Sequence, residues 1–229
     1  MTGSPDPRRS QLTFIGLFIS LIVPLLYSLL VGPLLLEPHL NSTVYALIGF
    51  GVLWINAVGL VLLVRYGEGR SLASIGLRGL AWRWVLAAIG LGIVLSLTVP
   101  LLTVLVSRVI PASPSGTIDS TTAQYPAWII LAGVITAGVT EEVLFRAYPL
   151  ERLGALTGKP WLGATVSLVL FVLSHLQGWN LSHVLGVVVP LGAVLTWLYL
   201  WQRNLLFVML VHTLIDLPLV FFALGNLAH

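Results

Sequence analysis

Three acidic residues lie inside apolar stretches that are long enough to cross a bilayer. Glu141 and Glu142 stand in AWIILAGVITAGVTEEVLFRAY, and Asp216 stands in NLLFVMLVHTLIDLPLVFFAL. Each acidic side chain costs about 2.5–3.5 kcal/mol at the centre of a membrane helix, so an ionisable residue in such a place is by default a functional-site hypothesis. Three further ionisable residues accompany them: Arg146, His175 and His212.

The pattern Glu-Glu-x-x-x-Arg at 141–146 combines an ion pair with an acid that has no such partner. Glu142 and Arg146 are four residues apart and share a helix face, which predicts a structural pair that lets both enter the membrane. Glu141 is turned about 100° away from Glu142. A carboxyl group without a cationic partner in a low dielectric can take a proton from water and return it to a leaving group. The alternative is a protonated side chain bonded to a backbone carbonyl.

His212 has an acidic residue four positions later, whereas His175 has no such partner in the sequence. His212 and Asp216 are four residues apart, so they lie one above the other on a helix. The pair can orient an imidazole through a carboxylate, supply nitrogen and oxygen ligands to a metal, or only stabilise the helix. His175 stands near the end of a different apolar stretch. On its own, a histidine there is more often a satisfied core residue than a ligand.

Estimated depths in the membrane place His175 at a different level from Glu141 and His212. A rise of about 1.5 Å per residue places Glu141 and His212 about 4–5 Å to the cytoplasmic side of the midplane, with Asp216 near the midplane. The same count places His175 about 6 Å to the outer side. Helix tilt of about 20°, or bends, would be needed to bring His175 to Glu141.

Composition restricts the class of protein. The chain has 229 residues, of which 58% are hydrophobic and 8% charged, and its mean hydropathy is +1.01. A soluble domain has about 25% charged residues, so we predict an integral membrane protein made of helices. The absence of cysteine excludes a thiolate nucleophile and a cysteine-based zinc site. The basic residues form no cluster with interleaved aromatic residues, so we expect no nucleic-acid partner.

Seven stretches qualify as membrane spans by length and lack of charge. They are approximately 12–36, 43–64, 84–110, 127–148, 161–179, 183–201 and 204–224. With the N-terminus in the cytoplasm, ten of the eleven basic residues fall on the cytoplasmic side, and Arg108 falls outside. We therefore predict an all-α polytopic bundle of about seven transmembrane helices with a disordered cytoplasmic N-terminus over residues 1–11.

Three motifs in order on separate spans carry a family resemblance: EExxxR at 141–146, FxxxH at 171–175 and HxxxD at 212–216. The set resembles the CAAX-protease and bacteriocin-processing (CPBP) family of intramembrane endopeptidases. That family includes the type II CAAX prenyl endopeptidases, which remove the last three residues of prenylated proteins. The stretch SLASIGLR at 71–78 also looks like a loop of many members. The resemblance covers about residues 125–220, which implies a catalytic core over 121–224 preceded by N-terminal transmembrane helices over 12–120.

The resemblance implies a role for each matching position. Glu141 is similar to the family's catalytic glutamate, which activates the hydrolytic water, and His175 to its partner in binding that water. His212 resembles the second essential histidine. The family usually has asparagine four residues later, where this chain has Asp216. Asparagine can donate a hydrogen bond to an oxyanion and an ionised aspartate cannot. Asp216 would therefore be protonated, act as a ligand or orient His212.

These observations predict an intramembrane endopeptidase. A water held between Glu141 and His175 would attack the peptide bond, and His212 with Asp216 would stabilise the tetrahedral intermediate. Two further residues match positions that support the site: Glu142 and Arg146. A divalent ion such as zinc could bind Glu141, His175 and His212. A metal-free glutamate mechanism fits the same residues, and no HExxH motif is present to decide between them.

The expected partners are membrane lipid and a membrane-associated peptide or protein substrate. We expect the protein in a prokaryotic cell membrane, with the active site in the cytoplasmic half and a cavity that opens toward the cytoplasm. Two other classes stay open at this point. One is a non-catalytic immunity or binding protein of the same fold, and the other is a small proton-coupled transporter. The lack of internal symmetry disfavours the transporter.

Overall fold

The computed structural model describes residues 7–110 and 113–225, and in this part of the chain it is built from helices without strands. The helices are α1 (Arg8–His39), α2 (Ser42–Gly67), α3 (Trp82–Ser107), α4 (Ile118–Gln124), α5 (Ala127–Thr157), α6 (Pro160–Ser174), α7 (Leu181–Gln202) and α8 (Leu205–Gly225). Within the described residues, six of them, all except α4 and α6, are long and apolar enough to cross a membrane. The predicted all-α membrane bundle is confirmed. The orientation of the N-terminus stays a prediction, as does the division into two regions near residue 120.

The start of α1 differs from the prediction. Residues 1–6 of the stretch predicted to be disordered lie outside the described residues, but residues 7–11 are helical. This first part of α1 packs beside the end of α2, where the Thr13 hydroxyl donates to a Glu68 carboxylate oxygen at 3.2 Å. The contact gives the helix a tertiary partner that its own polar sequence does not reveal.

The hairpin of α5 and α6 sets the depth of the site. The predicted fifth span is a helix of 15 residues, about 22 Å long, which is shorter than the roughly 30 Å hydrocarbon core. In compensation, α5 continues to Thr157, nine residues past its predicted end at 148. Gly158 adopts the left-handed conformation (φ 68°) and turns the chain back along α5. The chain runs about 24 Å along α5 from Glu141 to Thr157 and then about 22 Å back along α6 to His175. His175 therefore lies level with Glu141, and its predicted depth is wrong.

A buried polar network joins three helices near this hairpin. The Glu68 carboxylate, which is fully buried, accepts hydrogen bonds from Arg152 at 2.6–3.2 Å and from the Tyr148 hydroxyl at 2.8 Å. Arg152 also reaches the Ser74 hydroxyl at 3.2 Å. Because each charge has a partner of opposite sign and further hydrogen bonds, the group can be buried without a large cost. It holds the lower part of α5 against α1, α2 and the segment that follows α2.

Most of the basic residues collect at one end of the bundle, which we call the basic end. It contains the start of α1, the end of α2, the start of α3, the end of α5, the start of α6, the end of α7 and the start of α8. Nine of the eleven basic residues of the chain lie there: Arg8, Arg9, Arg65, Arg70, Arg78, Arg83, Arg152, Lys159 and Arg203. An ion pair at 2.9 Å between Arg203 and Glu151 and a bond at 2.8 Å from Arg78 to the Gln202 carbonyl connect its segments.

The opposite end contains the end of α1, α4, the turn between α6 and α7, and the end of α8. Asn180 accepts from the backbone of His183 as the N-cap of α7, and its backbone N–H donates to the Gly116 carbonyl at 3.0 Å. Gly116 has φ 69°, and a Cβ there would lie 2.6 Å from the Asn180 nitrogen, so glycine is required for this approach. The segment before α4 is thereby fixed against the start of α7.

Candidate functional site

The backbone of α5 is locally widened where the site forms. Two π-helical turns, Ala137–Glu141 and Val143–Ala147, shift the hydrogen-bond register by one residue and change which carbonyls find an N–H partner. Serine hydroxyls from α1 and α6 donate to two carbonyls in the second turn: Ser20 to Leu144 and Ser167 to Phe145. Turns of this kind are frequent at functional sites. The serines hold α1 and α6 against α5 beside the acidic pair.

Glu142 forms the buried ion pair that the sequence predicts. One of its carboxylate oxygens accepts from Arg146 Nη1 at 2.9 Å and from His212 Nδ1 at 2.7 Å. The Arg146 guanidinium is also buried and lies 4.1 Å above the centre of the Phe171 ring, and its second nitrogen faces the Gly192 carbonyl at 3.5 Å. This arrangement explains why the aromatic residue of the FxxxH pattern accompanies the arginine of EExxxR.

His212 lies between two carboxylates. Its Nδ1 faces Glu142, and its Nε2 is 3.3 Å from Asp216 Oδ2. Helix α8 can approach α5 this closely because residue 138 is glycine: a Cβ there would lie 3.0 Å from the Thr213 Cα. The imidazole can donate a hydrogen bond to both carboxylates only when both of its nitrogens carry a proton. Its ring plane is thus fixed from both sides.

Glu141 and His175 face each other across a short gap. Glu141 Oε1 lies 3.9 Å from His175 Nε2, and the two side chains are 14% and 19% exposed. The distance is too long for a direct hydrogen bond and allows one water to bridge the two atoms. His175 Nδ1 is 2.7 Å from the Phe171 carbonyl oxygen, which can only accept. The proton is therefore on Nδ1, and the lone pair of a neutral ring at Nε2 points at Glu141.

All four side chains predicted to be catalytic line one cavity of about 680 Å³. They are Glu141, His175, His212 and Asp216. The predicted supporting residues, Glu142 and Arg146, are buried behind this surface. A cavity of this size is typical of ligand sites and can admit a short peptide segment. The structure thus brings together the predicted residues from α5, α8 and the turn that follows α6.

The cavity extends from Glu141 away from the basic end. It is lined by Glu37 near the end of α1, by Tyr45 near the start of α2, by α4, and by Phe222 near the end of α8. No lysine or arginine of the described residues lines it. The prediction that the cavity opens toward the cytoplasm is therefore incompatible with the predicted cytoplasmic position of the basic end. The prediction used the depth of Glu141 and His212, which lie nearer to the surface at the basic end. Buried side chains such as Tyr148 and Tyr199 fill the bundle between the site and that surface.

The predicted metal ligands do not form a metal site. Within residues 7–110 and 113–225, no three histidine, aspartate or glutamate side chains are grouped so that they could hold an ion. Both nitrogens of His212 are directed at the carboxylates of Glu142 and Asp216, so His212 offers no lone pair toward Glu141. Glu141 and His175 alone are too few ligands for a zinc site. The donor set does not fit the ion, and the chemistry below uses none.

Comparison with known proteins agrees with this arrangement. Residues 123–218 match the family model described as type II CAAX prenyl endopeptidase Rce1-like. This Rce1-like segment supports the assignment of the chain to the CAAX-protease family. No curated protein and no solved structure matches the chain.

The Rce1-like segment contains every residue predicted for the site and confirms the resemblance drawn from the three motifs. Helices α1 to α3 lie outside it, although residues of all three line the cavity. The family is one of proteases, and the six long apolar helices of the described residues indicate an integral membrane protein. The general activity is therefore that of a CAAX-type intramembrane endopeptidase.

The cavity contains a third histidine, which was not predicted from the sequence. His183 is buried, stacks on Trp179 with ring centres 4.0 Å apart, and lines the cavity together with His175 and Asp216. Asn180 is a recognisable N-cap residue, so the sequence could have placed His183 in the first turn of α7. It could not have shown that this turn faces the site.

Proposed function

We propose that this Rce1-like protein hydrolyses internal peptide bonds of membrane-associated chains with a water activated by Glu141. The observation that carries the proposal is the 3.9 Å gap between Glu141 Oε1 and His175 Nε2, at the wall of a large cavity inside a membrane bundle. A gap of this length between two hydrogen-bond acceptors fits a water that donates one hydrogen to each.

The reaction follows from this arrangement. With both hydrogens of the water engaged, one by Glu141 and one by His175 Nε2, an oxygen lone pair is free to attack the carbonyl carbon. Glu141 takes one proton from the water as the carbon–oxygen bond forms, and a tetrahedral oxyanion results. Glu141 then gives the same proton to the amide nitrogen as the carbon–nitrogen bond breaks. The products are one new carboxyl group and one new amine, and no covalent enzyme intermediate forms.

Asp216 is the group we assign to the oxyanion. It lies at the cavity wall with its side chain 22% exposed, and His212 holds one of its oxygens. A protonated Asp216 can donate a hydrogen bond to the developing charge, as an asparagine amide would. His212 acts through Asp216, while Glu142 and Arg146 keep the plane of His212 fixed.

This assignment predicts opposite results for two substitutions of Asp216. We expect Asp216→Asn to keep kcat/KM within about tenfold of the parent, because the amide oxygen can accept from His212 while the amide nitrogen donates to the oxyanion. We expect Asp216→Ala to lose about 10²–10³-fold, the usual loss of one oxyanion donor. Initial rates of peptide cleavage measure both. An Asp216→Asn variant as inactive as Asp216→Ala would show that a carboxylate is required and would refute the assignment.

The function itself is tested with purified protein in liposomes. Fluorescent peptides that carry a prenyl or acyl anchor are offered beside the same peptides without an anchor, with and without a chelator, and the products are identified by mass spectrometry. We expect cleavage of anchored peptides that does not depend on the chelator. Folded protein that binds anchored peptides of varied sequence but leaves all of them intact would favour a binding protein of the same fold and contradict the proposal.

A further inference from the structure

The cavity that holds Glu141 is confined to one half of the bundle. In the membrane helices, the residues that line it come from the half remote from the basic end, except for Phe145 of α5 and His212 of α8, which lie beside the site near the middle of their helices. Examples are Tyr27 and Glu37 of α1, Tyr45 of α2 and Val99 of α3. In α8 the lining begins at His212 and continues to Phe222, although the helix starts at Leu205. Toward the basic end, the lining stops close to the middle of the bundle, at residues beside the site, so the cavity has its entrance at the opposite end.

Between the basic end and Glu141, the bundle is filled by buried side chains. Tyr148, Arg152 and Glu68 form the buried network that joins α1, α2 and α5. Tyr199 and Phe207 are fully buried between α7 and α8. A path from the basic end to Glu141 would have to separate these paired charges and packed rings, so this route is blocked without unfolding of the packed half.

The distribution of basic residues assigns the two ends to the two sides of the membrane. Nine of the eleven lie at the basic end, Arg146 is buried beside the site, and Arg108 alone lies at the opposite end. Lysine and arginine in short segments next to membrane helices are retained on the cytoplasmic side. The basic end therefore corresponds to the cytoplasmic side and the entrance of the cavity to the other side.

We propose that peptide substrates enter from the extracytoplasmic side, so that the protein cleaves membrane-anchored chains whose scissile segment lies outside the cytoplasm. The cleavage itself rests on the proposed function, whereas the route of entry rests on the position of the cavity and of the basic residues. Proteins anchored with their cleavage site in the cytoplasm would not reach Glu141.

The entry route is tested by thiol labelling, because the natural chain has no cysteine to interfere. Ala137→Cys places one thiol in the cavity, one helical turn before Glu141, and Ala73→Cys places the matched thiol on the exposed surface of the basic end. A membrane-impermeant cationic methanethiosulfonate reagent suits a cavity with acidic and no basic lining residues among those described. It is applied to intact cells and to inside-out vesicles, and Ala46→Cys serves as a second cavity position if Ala137→Cys does not fold.

We expect the cavity thiol to react at least tenfold faster than Ala73→Cys in intact cells, and the order to reverse in inside-out vesicles. Reaction of Ala73→Cys in intact cells, or reaction of the cavity thiol only in inside-out vesicles or only after denaturation, would overturn the proposal. The measurement needs no substrate. The expected labelling without any peptide cleavage would support the entry route and refute the proposed function. Peptide cleavage with labelling from the cytoplasmic side would support the proposed function and refute the entry route.

Discussion

Replacement of Glu141 by glutamine is expected to lower kcat/KM by about 10²–10⁴-fold without unfolding the protein. The amide has the shape of the carboxylate but cannot take a proton from water, and general-base catalysis is typically worth that factor. The Glu141 side chain approaches His175 at 3.9 Å, which is too long for a hydrogen bond, so the substitution breaks no side-chain hydrogen bond within the described part of the chain. The cleavage rate of an anchored peptide measures the loss of activity, and the unfolding temperature in the same detergent shows whether the protein stays folded.

Glu151→Gln is the matched control for this substitution. Glu151 undergoes the same chemical change, but it lies at the basic end in an ion pair with Arg203 and does not line the cavity. We expect near-parental cleavage from it. If Glu141→Gln retained parental activity while Glu151→Gln did the same, Glu141 would not be the base and the hydrolytic mechanism would be refuted.

Replacement of Arg146 by methionine is expected to destabilise the bundle by about 3–5 kcal/mol, the usual cost of removing one partner of a buried ion pair. The substitution leaves Glu142 in the interior with His212 as its remaining hydrogen-bond donor. At about 2–4 °C per kcal/mol for a chain of this size, the unfolding temperature should fall by roughly 10 °C. Thermal unfolding followed by intrinsic fluorescence measures the change.

Two further variants separate the charge effect from the loss of volume. In Arg146→Met with Glu142→Gln the uncompensated charge is gone, and we expect a large part of the stability to return. Arg203→Met removes an arginine that is 51% exposed and pairs with Glu151 at 2.9 Å, so we expect a loss of at most about 1 kcal/mol. Equal losses for Arg146→Met and Arg203→Met would mean that the buried pair is not the support of the site.

Local relations within one helix were predictable from the sequence. Glu142 and Arg146 meet at 2.9 Å because their spacing of four residues survives the widened turns of α5. The separation of roles between Glu141 and Glu142 follows in the same way, because adjacent residues on a helix point in different directions. The contact between His212 and Asp216 is a further i, i+4 pair.

The position of His175 was not predictable, because it depends on where α5 ends. The stretch after Tyr148 contains Pro149, Glu151 and Arg152, and by composition it looks like a cytoplasmic loop. It remains helical because its buried charge is compensated in the fold: Arg152 is paired with Glu68, which is distant in sequence. Only this tertiary pairing extends α5 and brings His175 level with Glu141.

The direction of the cavity was likewise outside the reach of the sequence. Counting residues along a helix gives the distance of Glu141 from each surface, but it does not reveal which half of the bundle is filled. That depends on large side chains such as Tyr199 and Phe207 packing together from different helices. The predicted metal site could not be judged from the sequence for a similar reason. The position of His212 in the sequence does not show that Glu142 and Asp216 contact both of its ring nitrogens.

The most direct test of the account is a double-mutant cycle in cleavage rate between Glu141→Gln and His175→Ala. If both side chains hold one and the same water, the second substitution has little left to remove, because residues that act as a unit are strongly non-additive. We expect the double variant to cleave an anchored peptide within about threefold of the slower single variant. Losses that multiply in the double variant would show that Glu141 and His175 act independently and would contradict the shared water.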